Sequence, residues 1–173
     1  MQSKSSEAYA PAEDTFFLAS FVEKEKGSSA LEIGTGSGYL AGILQQNFGL
    51  VVATDIDFAS LRESESKNKI CCNAASALTQ KFDLIVCNLP YLPSDEIVDR
   101  TVDGGAQGLE MPTRIIESAS GCVKAGGKML LLTSSLANYQ KLMEATQSRG
   151  FSVKILAKKK LFFEELILIE ARK

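Results

Sequence analysis

Residues 31–40 read Leu31-Glu32-Ile33-Gly34-Thr35-Gly36-Ser37-Gly38-Tyr39-Leu40, an apolar run that breaks into alternate glycines and then resumes. The run over 30–33 predicts a strand and 39–48 a helix, so the glycines occupy the turn between them. Without a Cβ they let the backbone turn sharply and approach a ligand. A pyrophosphate-binding loop would space them G-x-G-x-x-G and aim the helix N-terminus at phosphate. Here the spacing is G-x-G-x-G, and an acid, Glu32, stands inside the strand. A carboxylate there suits a cofactor carrying an ammonium group instead.

The pattern extends outward on both sides. Upstream, a loop through Pro11 leads into a helix over 12–26, acidic in its first turn at Glu13 and Asp14, apolar at Phe17, Leu18, Phe21 and Val22, and stopped by Gly27. Downstream, 50–54 is β-prone, 58–67 is a charged helix and 69–72 a short strand. The run 82–87 is apolar except for Asp83, as expected of a strand covered on both faces. After a long polar loop come a helix over 113–123, a strand over 128–133 and a helix over 136–149. Two β-prone runs, 151–156 and 166–171, then pair as a hairpin.

Strands alternating with helices build βαβ units, so the fold class is α/β: a mainly parallel, Rossmann-like sheet with helices on both faces and a C-terminal antiparallel hairpin. No repeat or linker divides the chain, and one domain spans 1–173. Right-handed crossovers place ligands beyond the carboxyl ends of the strands, at the switch point.

Composition narrows the chemistry. The 173 residues carry 19 basic and 21 acidic side chains, a net charge of −2, four Cys, no His and no Trp. That length suits one domain, and a 45% hydrophobic content is enough for a full core. No apolar run approaches the ~18–20 residues that span a bilayer. The opening MQSKSSEAYAPAED has no apolar stretch of a secretory signal, so the expected location is cytoplasmic. Without His there is no imidazole base, no Ser-His or Cys-His nucleophile and no His-ligated metal. Near-neutral charge also argues against unaided grip on nucleic acid. Cys71, Cys72, Cys87 and Cys122 form no C-x-x-C pair and read as reduced, mostly buried thiols of no metal site.

Asp55 ends the second predicted strand. A carboxylate at that tip can accept from both hydroxyls of a ribose; the plainer alternative is a helix N-cap. One strand further, Asn73 and Ala74 follow Ile70-Cys71-Cys72, where a side-chain amide can meet an adenine edge. An amino acid, a ribose and an adenine laid across three adjacent strand ends describe S-adenosylmethionine.

The strand 82–87 ends in Asn88-Leu89-Pro90-Tyr91, facing the same cleft as the glycine loop. The nitrogen of an amide or aromatic amine is a poor nucleophile because its lone pair is delocalised. Two acceptors that hold both N–H bonds can aim the lone pair at a sulfonium methyl. The Asn88 side-chain oxygen and the Leu89 carbonyl form such a pair. Pro90 keeps the backbone before it extended, and Tyr91 offers a flat face to a planar group. No histidine is needed, because the proton becomes acidic only after methyl transfer.

On these residues the chain resembles the HemK-type protein-glutamine N5-methyltransferases, above all the short branch acting on archaeal and eukaryotic class I release factors. The likeness runs through Tyr9-Ala10-Pro11-Ala12-Glu13-Asp14-Thr15, the glycine loop, Asp55, the tetrapeptide, and Asp103-Gly104-Gly105 with Gly108. It implies a seven-stranded methyltransferase fold, S-adenosylmethionine as donor, and the glutamine amide of a GGQ loop as acceptor. The N-terminal loop and helix, 1–28, would cover the cofactor, with Tyr9 and Thr15 over it. Glu32, Gly34, Thr35, Gly36 and Gly38 would hold the methionine moiety, Asp55 and Ile56 the ribose end, and Asn73 and Ala74 the adenine. The family commonly has Asp at the position of Asn73 and Asn-Pro-Pro-Tyr where this chain has Asn-Leu-Pro-Tyr.

The resemblance further implies a small zinc-binding activator that adds a strand to the sheet, with 69–73 as the candidate edge. Lys158-Lys159-Lys160 reads as a solvated hairpin tip, and Phe16, Phe17 and Phe21 as core. The loop over 93–110 is long enough for a mobile substrate cover. The alternative function is methylation of adenine N6 or another exocyclic amine of DNA or RNA, which the same acceptor pair could serve with Tyr91 stacked on a flipped base.

Overall fold

Along Phe82–Asn88 (β4), successive side chains enter two different cores: Leu84 and Val86 one, Ile85 and Cys87 the other. This is what a two-residue side-chain period gives when both faces of a sheet are covered. The computed structural model describes residues 11–64 and 66–173, so Tyr9 and Ala10 of the expected cofactor cover lie outside the described residues.

In chain order the elements before β4 are Glu13–Val22 (α1), Gly27–Ile33 (β1), Tyr39–Leu44 (α2), Phe48–Asp55 (β2), Phe58–Glu63 (α3) and Lys69–Cys71 (β3). After β4 come Leu92–Pro93 (β5), Asp103–Gly105 (β6), Glu110–Ser120 (α4), Val123–Ser134 (β7), Tyr139–Gln147 (α5), Ser152–Lys160 (β8) and Glu165–Arg172 (β9). The main sheet has seven strands in the order β3-β2-β1-β4-β7-β9-β8. The first five in that order run parallel, and β9 lies antiparallel between β7 and β8. Chain order reverses between β1 and β4, which is the expected switch point. Leu18 of α1 and Leu40 and Leu44 of α2 pack on one face, and Ile115 and Ile116 of α4 and Leu142 of α5 on the other.

Several boundaries differ from the sequence expectation for physical reasons. Helix α1 ends at Val22, where the N–H groups of Glu23, Lys24 and Glu25 turn back to the carbonyls of Ala19, Phe21 and Val22. Gly27 therefore opens β1, and it sits so close to the Phe48 ring that a Cβ would come within 2.8 Å of it. Helix α2 is also shorter than expected, because pairing with β1 draws Phe48 into β2, and α3 stops at Glu63, where Ser64 turns to extended backbone. Phe16 is 51% exposed and meets Tyr39 edge-on, so of the three N-terminal phenylalanines only Phe17 and Phe21 pack on the core. Of the four thiols Cys87 and Cys122 are buried, but Cys71 is exposed because it lies on the edge strand β3.

The expected hairpin tip has moved. Lys158, Lys159 and Lys160 are the last residues of β8, and the turn is made by residues 161–164. Lys158 pairs with Glu165 and Lys159 with Glu13. Lysines on an edge strand discourage further strand pairing. The segment 93–110 is also more structured than a plain loop: β5 pairs with β6, and Asp103 accepts from the N–H groups of Val98 and Asp99. Among the described residues no helix is long and apolar enough to cross a membrane.

Candidate active site

The carboxyl ends of β1, β2 and β4 open into a cleft of about 530 Å³, within the size range of small-molecule sites. At its base Glu32 is 3% exposed, with Oε2 accepting from the Thr35 hydroxyl at 2.6 Å and from the Ala41 N–H at 2.9 Å. Burial pushes its carboxyl up to about 8; the two hydrogen bonds pull it down, and the nearby Asp55 carboxylate adds to the rise. Among the described residues the charged group that acts on this buried acid is another acid, so a cation is the kind of ligand it would stabilise. An ammonium group is the chemistry that fits it.

The glycine loop makes this arrangement possible. Gly34, Gly36 and Gly38 all have positive φ, and the turn brings the Gly36 N–H to Asp55 Oδ2 at 2.9 Å. Asp55 Oδ1 accepts from the Asp57 N–H, so its carboxylate bridges the first and second loops at the cleft wall. The N-cap of α3 is Asp57, which accepts from the N–H groups of Ala59 and Ser60 and the Ser60 hydroxyl. Asp55 is therefore not the helix cap. Gly34, Thr35, Gly36, Ile56, Asn73 and Ala74 all line the cleft. Gly38 does not; it is the N-cap of α2. Ala74 has φ +51, a conformation that few non-glycine residues adopt.

Across the cleft, Thr15 is buried, and its N–H and hydroxyl both donate to Asp14 Oδ1. The other oxygen of Asp14 accepts from Asn88 Nδ2 at 3.0 Å. A carboxylate can only accept, so this bond fixes which way the Asn88 amide faces. Its oxygen, Oδ1, is buried and has no hydrogen-bond partner among the described residues. A walled-off acceptor without a donor costs about 1–3 kcal/mol.

Residues Asn88, Leu89, Pro90 and Tyr91 all line the cleft, and the Leu89 side chain is packed into the core. The backbone beyond them is held by the Asp103-Gly104-Gly105 segment and Gly108. A Cβ on Gly104 would come within 2.8 Å of the Pro90 carbonyl oxygen, and one on Gly108 would strike the Tyr91 carbonyl oxygen and come within 2.8 Å of Ala137 Cβ. These glycines let residues 103–108 close over the tetrapeptide. Cys87 also borders the cleft, but burial, with Glu32 and Asp55 adding to it, drives its thiol far above the usual range. It is a neutral thiol and no nucleophile.

Sequence reasoning quoted Asp14 within a motif but gave it no contact; its reach to Asn88 spans 74 positions, and no local pattern encodes that. The Arg100, Thr101 and Val102 wall and Glu164 went unread for the same reason: the fold alone brings them to the cleft.

Comparison with known proteins identifies the family. The methyltransferase small domain family matches residues 12–162. MJ0928 of Methanocaldococcus jannaschii, which bears the provisional name of a protein N5-glutamine methyltransferase, is 32% identical over 95% of this chain and 91% of its own length. Methyltransferase HEMK2 of Homo sapiens is 28% identical over 84% of this chain and 80% of its own. A chain from the E. cuniculi Mtq2–Trm112 complex, described as responsible for methylation of the eRF1 translation termination factor, superposes with a TM-score of 0.84 at 26% identity, over 96% of this chain and 99% of that one. The chain belongs to the methyltransferase small domain family, as a HemK-type methyltransferase whose methyl donor is S-adenosylmethionine.

Proposed function

We propose that this enzyme methylates the side-chain amide of the GGQ-loop glutamine in a class I release factor. The observation that carries the reading is the Asn88 amide, clamped by Asp14 on its nitrogen side with its oxygen buried and unpartnered at the cleft. When bound, S-adenosylmethionine supplies an electrophilic methyl group on sulfur. Glu32 holds the ammonium of the donor, with Thr35 and the glycine loop around it; Asp55 and Ile56 hold the ribose end, Asn73 and Ala74 the adenine. Thr15 lies against the methionine moiety.

At the acceptor end, Asn88 Oδ1 takes one N–H of the glutamine amide and the Leu89 carbonyl takes the other. The nitrogen lone pair is thereby directed out of the amide plane toward the donor. Tyr91 lies against the planar amide. The proton leaves after transfer, to water.

The partner side of this reading rests on the edge strand β3. It pairs only with β2, and its other edge carries Ile70 and the exposed Cys71. A small zinc-binding activator adds a strand there; that Mtq2 forms a complex with Trm112 supports a partner for this chain. A translation factor as substrate puts the enzyme in the cytoplasm.

The test is transfer of tritiated methyl from S-adenosylmethionine, with and without such an activator. Full-length class I release factor, the same factor with its loop glutamine changed to alanine, and DNA and RNA fragments are offered side by side. Label on the first alone is expected. Label on both factors, or on nucleic acid only, would overturn the assignment, and the latter would favour an exocyclic amine of a base.

A further inference from the structure

Beyond the cleft, the most exposed large apolar side chains of the described residues are Phe162 and Phe163, at 91% and 87%, together with Val98 at 84%. The two phenylalanines sit at the β8–β9 turn, stacked edge to face with ring centroids 4.6 Å apart. The fold does not ask for them. The turn is closed by the Leu161 N–H on the Glu164 carbonyl, and its central positions favour Gly, Asn or Asp. Leu161, just before, is the residue that turns inward to pack on the core. Two rings held in water at a turn point to a partner that covers them.

The position of the turn names that partner. Glu164 lines the cleft, and its Oε2 is buried without a hydrogen-bond partner. The base of the hairpin is tied to the end of β7, where Glu165 and Ser135 exchange hydrogen bonds. It is tied to the start of α1 by the Lys159–Glu13 ion pair, one residue from the Asp14 that holds Asn88. The rings thus stand at the acceptor mouth, at the end of the sheet opposite the β3 edge. Lys158 and Lys159 are already paired with acids, which leaves the exposed Lys160 beside the turn, a single charge where a grip on a phosphate backbone uses several.

We infer that the β8–β9 tip is the docking element for the protein substrate: Phe162 and Phe163 pack on an apolar segment that flanks the methyl-accepting loop, and Glu164 accepts an N–H from the loop's backbone. This rests on the proposed acceptor. A glutamine amide is too small to supply the affinity for a whole protein, so that affinity must come from anchors outside the cleft. Paired aromatic rings are the residue type that most often supplies it.

The experiment compares the full-length chain with its F162S/F163S variant on two substrates, intact release factor and a short peptide carrying only the glutamine loop. Both rings lie outside the core, so the variant should fold; F162S alone, measured identically, serves if it does not. KM for the intact factor should rise about tenfold to a hundredfold, the range of lost aromatic anchors. The dissociation constant for S-adenosylmethionine and the KM for the peptide should stay within about twofold. An unchanged KM for the factor overturns the docking role. So does an equal loss on the peptide, which would make the tip part of the cleft itself. A wild-type dimer that the variant dissolves, with KM unmoved, would assign the rings to a second copy. If the wild-type enzyme labels nucleic acid and not the factor, the acceptor assignment fails and the docking role falls with it.

Discussion

Glu32 gives the sharpest quantitative test. In the fold its carboxyl stands at about 8 against an ordinary 4.5, because it is buried and shares the cleft with Asp55. The folded protein therefore binds this proton more tightly than the unfolded chain does. Its contribution to stability is fully present below pH about 4.5 and is lost as pH rises through about 8. At 1.36 kcal/mol per pH unit, the loss across that window is roughly 3–5 kcal/mol, a large share of a typical domain's total. Changing Glu32→Gln keeps an oxygen for the Thr35 hydroxyl and the Ala41 N–H and removes the titration.

The measurement is urea unfolding of both proteins between pH 4.5 and 8.5, without cofactor. The readout is the difference between the two curves, since other carboxylates titrate equally in both. The Glu32→Gln variant should be similar to wild type at the acid end and pull ahead steadily, by roughly 3–5 kcal/mol at pH 8.5. Saturating S-adenosylmethionine should reverse the order, because the wild-type carboxylate then gains its cation and the amide cannot. Two curves that stay parallel across the window would refute the claim that burial raises the Glu32 carboxyl.

Other outcomes follow from the same geometry. Asp55→Ala should weaken S-adenosylmethionine binding about tenfold to a hundredfold by calorimetry, from one or two lost charged hydrogen bonds. Asn88→Ala should lower kcat by about a hundredfold or more with donor affinity nearly intact, as expected when a preorganised polar group is removed from the reacting centre. Asp14→Ala should reproduce part of that loss, about tenfold, by freeing the Asn88 amide to rotate; a wild-type kcat would remove Asp14 from the site's function. Gly108→Ala puts a Cβ against the Tyr91 carbonyl at positive φ. At about 2 kcal/mol of strain it should lower Tm by roughly 4–8 °C in a thermal melt, with methyl transfer falling in parallel.

How much of this the chain discloses without a structure depends on the range of the interactions. The parallel sheet is legible because 30–33, 50–54 and 82–87 are apolar runs between helical patterns. The carboxylates Glu32 and Asp55 are legible because strand ends in such a sheet converge on one cleft. What escaped is long-range or decided by packing. Asn88 and Asp14 both stand out in the sequence, but their hydrogen bond does not. The lysine run suggested a turn by composition, yet Lys158 and Lys159 extend β8 because acids on β9 and α1 meet them. The glycines of 103–108 looked like loop punctuation, and their reason is the tetrapeptide backbone pressed against them.

The pH profile of the reaction separates two kinds of catalyst. A site that works by removing a proton before the transfer shows a rate that rises through the pKa of its base. Among the described residues the cleft has no imidazole, and its other groups are engaged. Cys87 is held neutral well above the working range, Glu32 is bound by Thr35 and Ala41, Asp14 by Thr15 and Asn88, and Asp55 by Gly36 and Asp57, while Glu164 is assigned to the backbone of the acceptor loop. What the cleft offers is a fixed acceptor, an amide oxygen whose orientation Asp14 sets by accepting from the amide nitrogen. With both substrates saturating, kcat should therefore stay flat within about twofold between pH 6.5 and 8.5. Over the same range the dissociation constant for S-adenosylmethionine should tighten, by up to about tenfold per pH unit below 8, as Glu32 gives up its proton to receive the ammonium. Single-turnover kinetics and calorimetry at matched pH read the two quantities separately. A kcat that climbs tenfold per unit through neutrality while donor affinity stays level would mean that a base acts before the methyl moves, and orientation by Asn88 would not be the source of the rate.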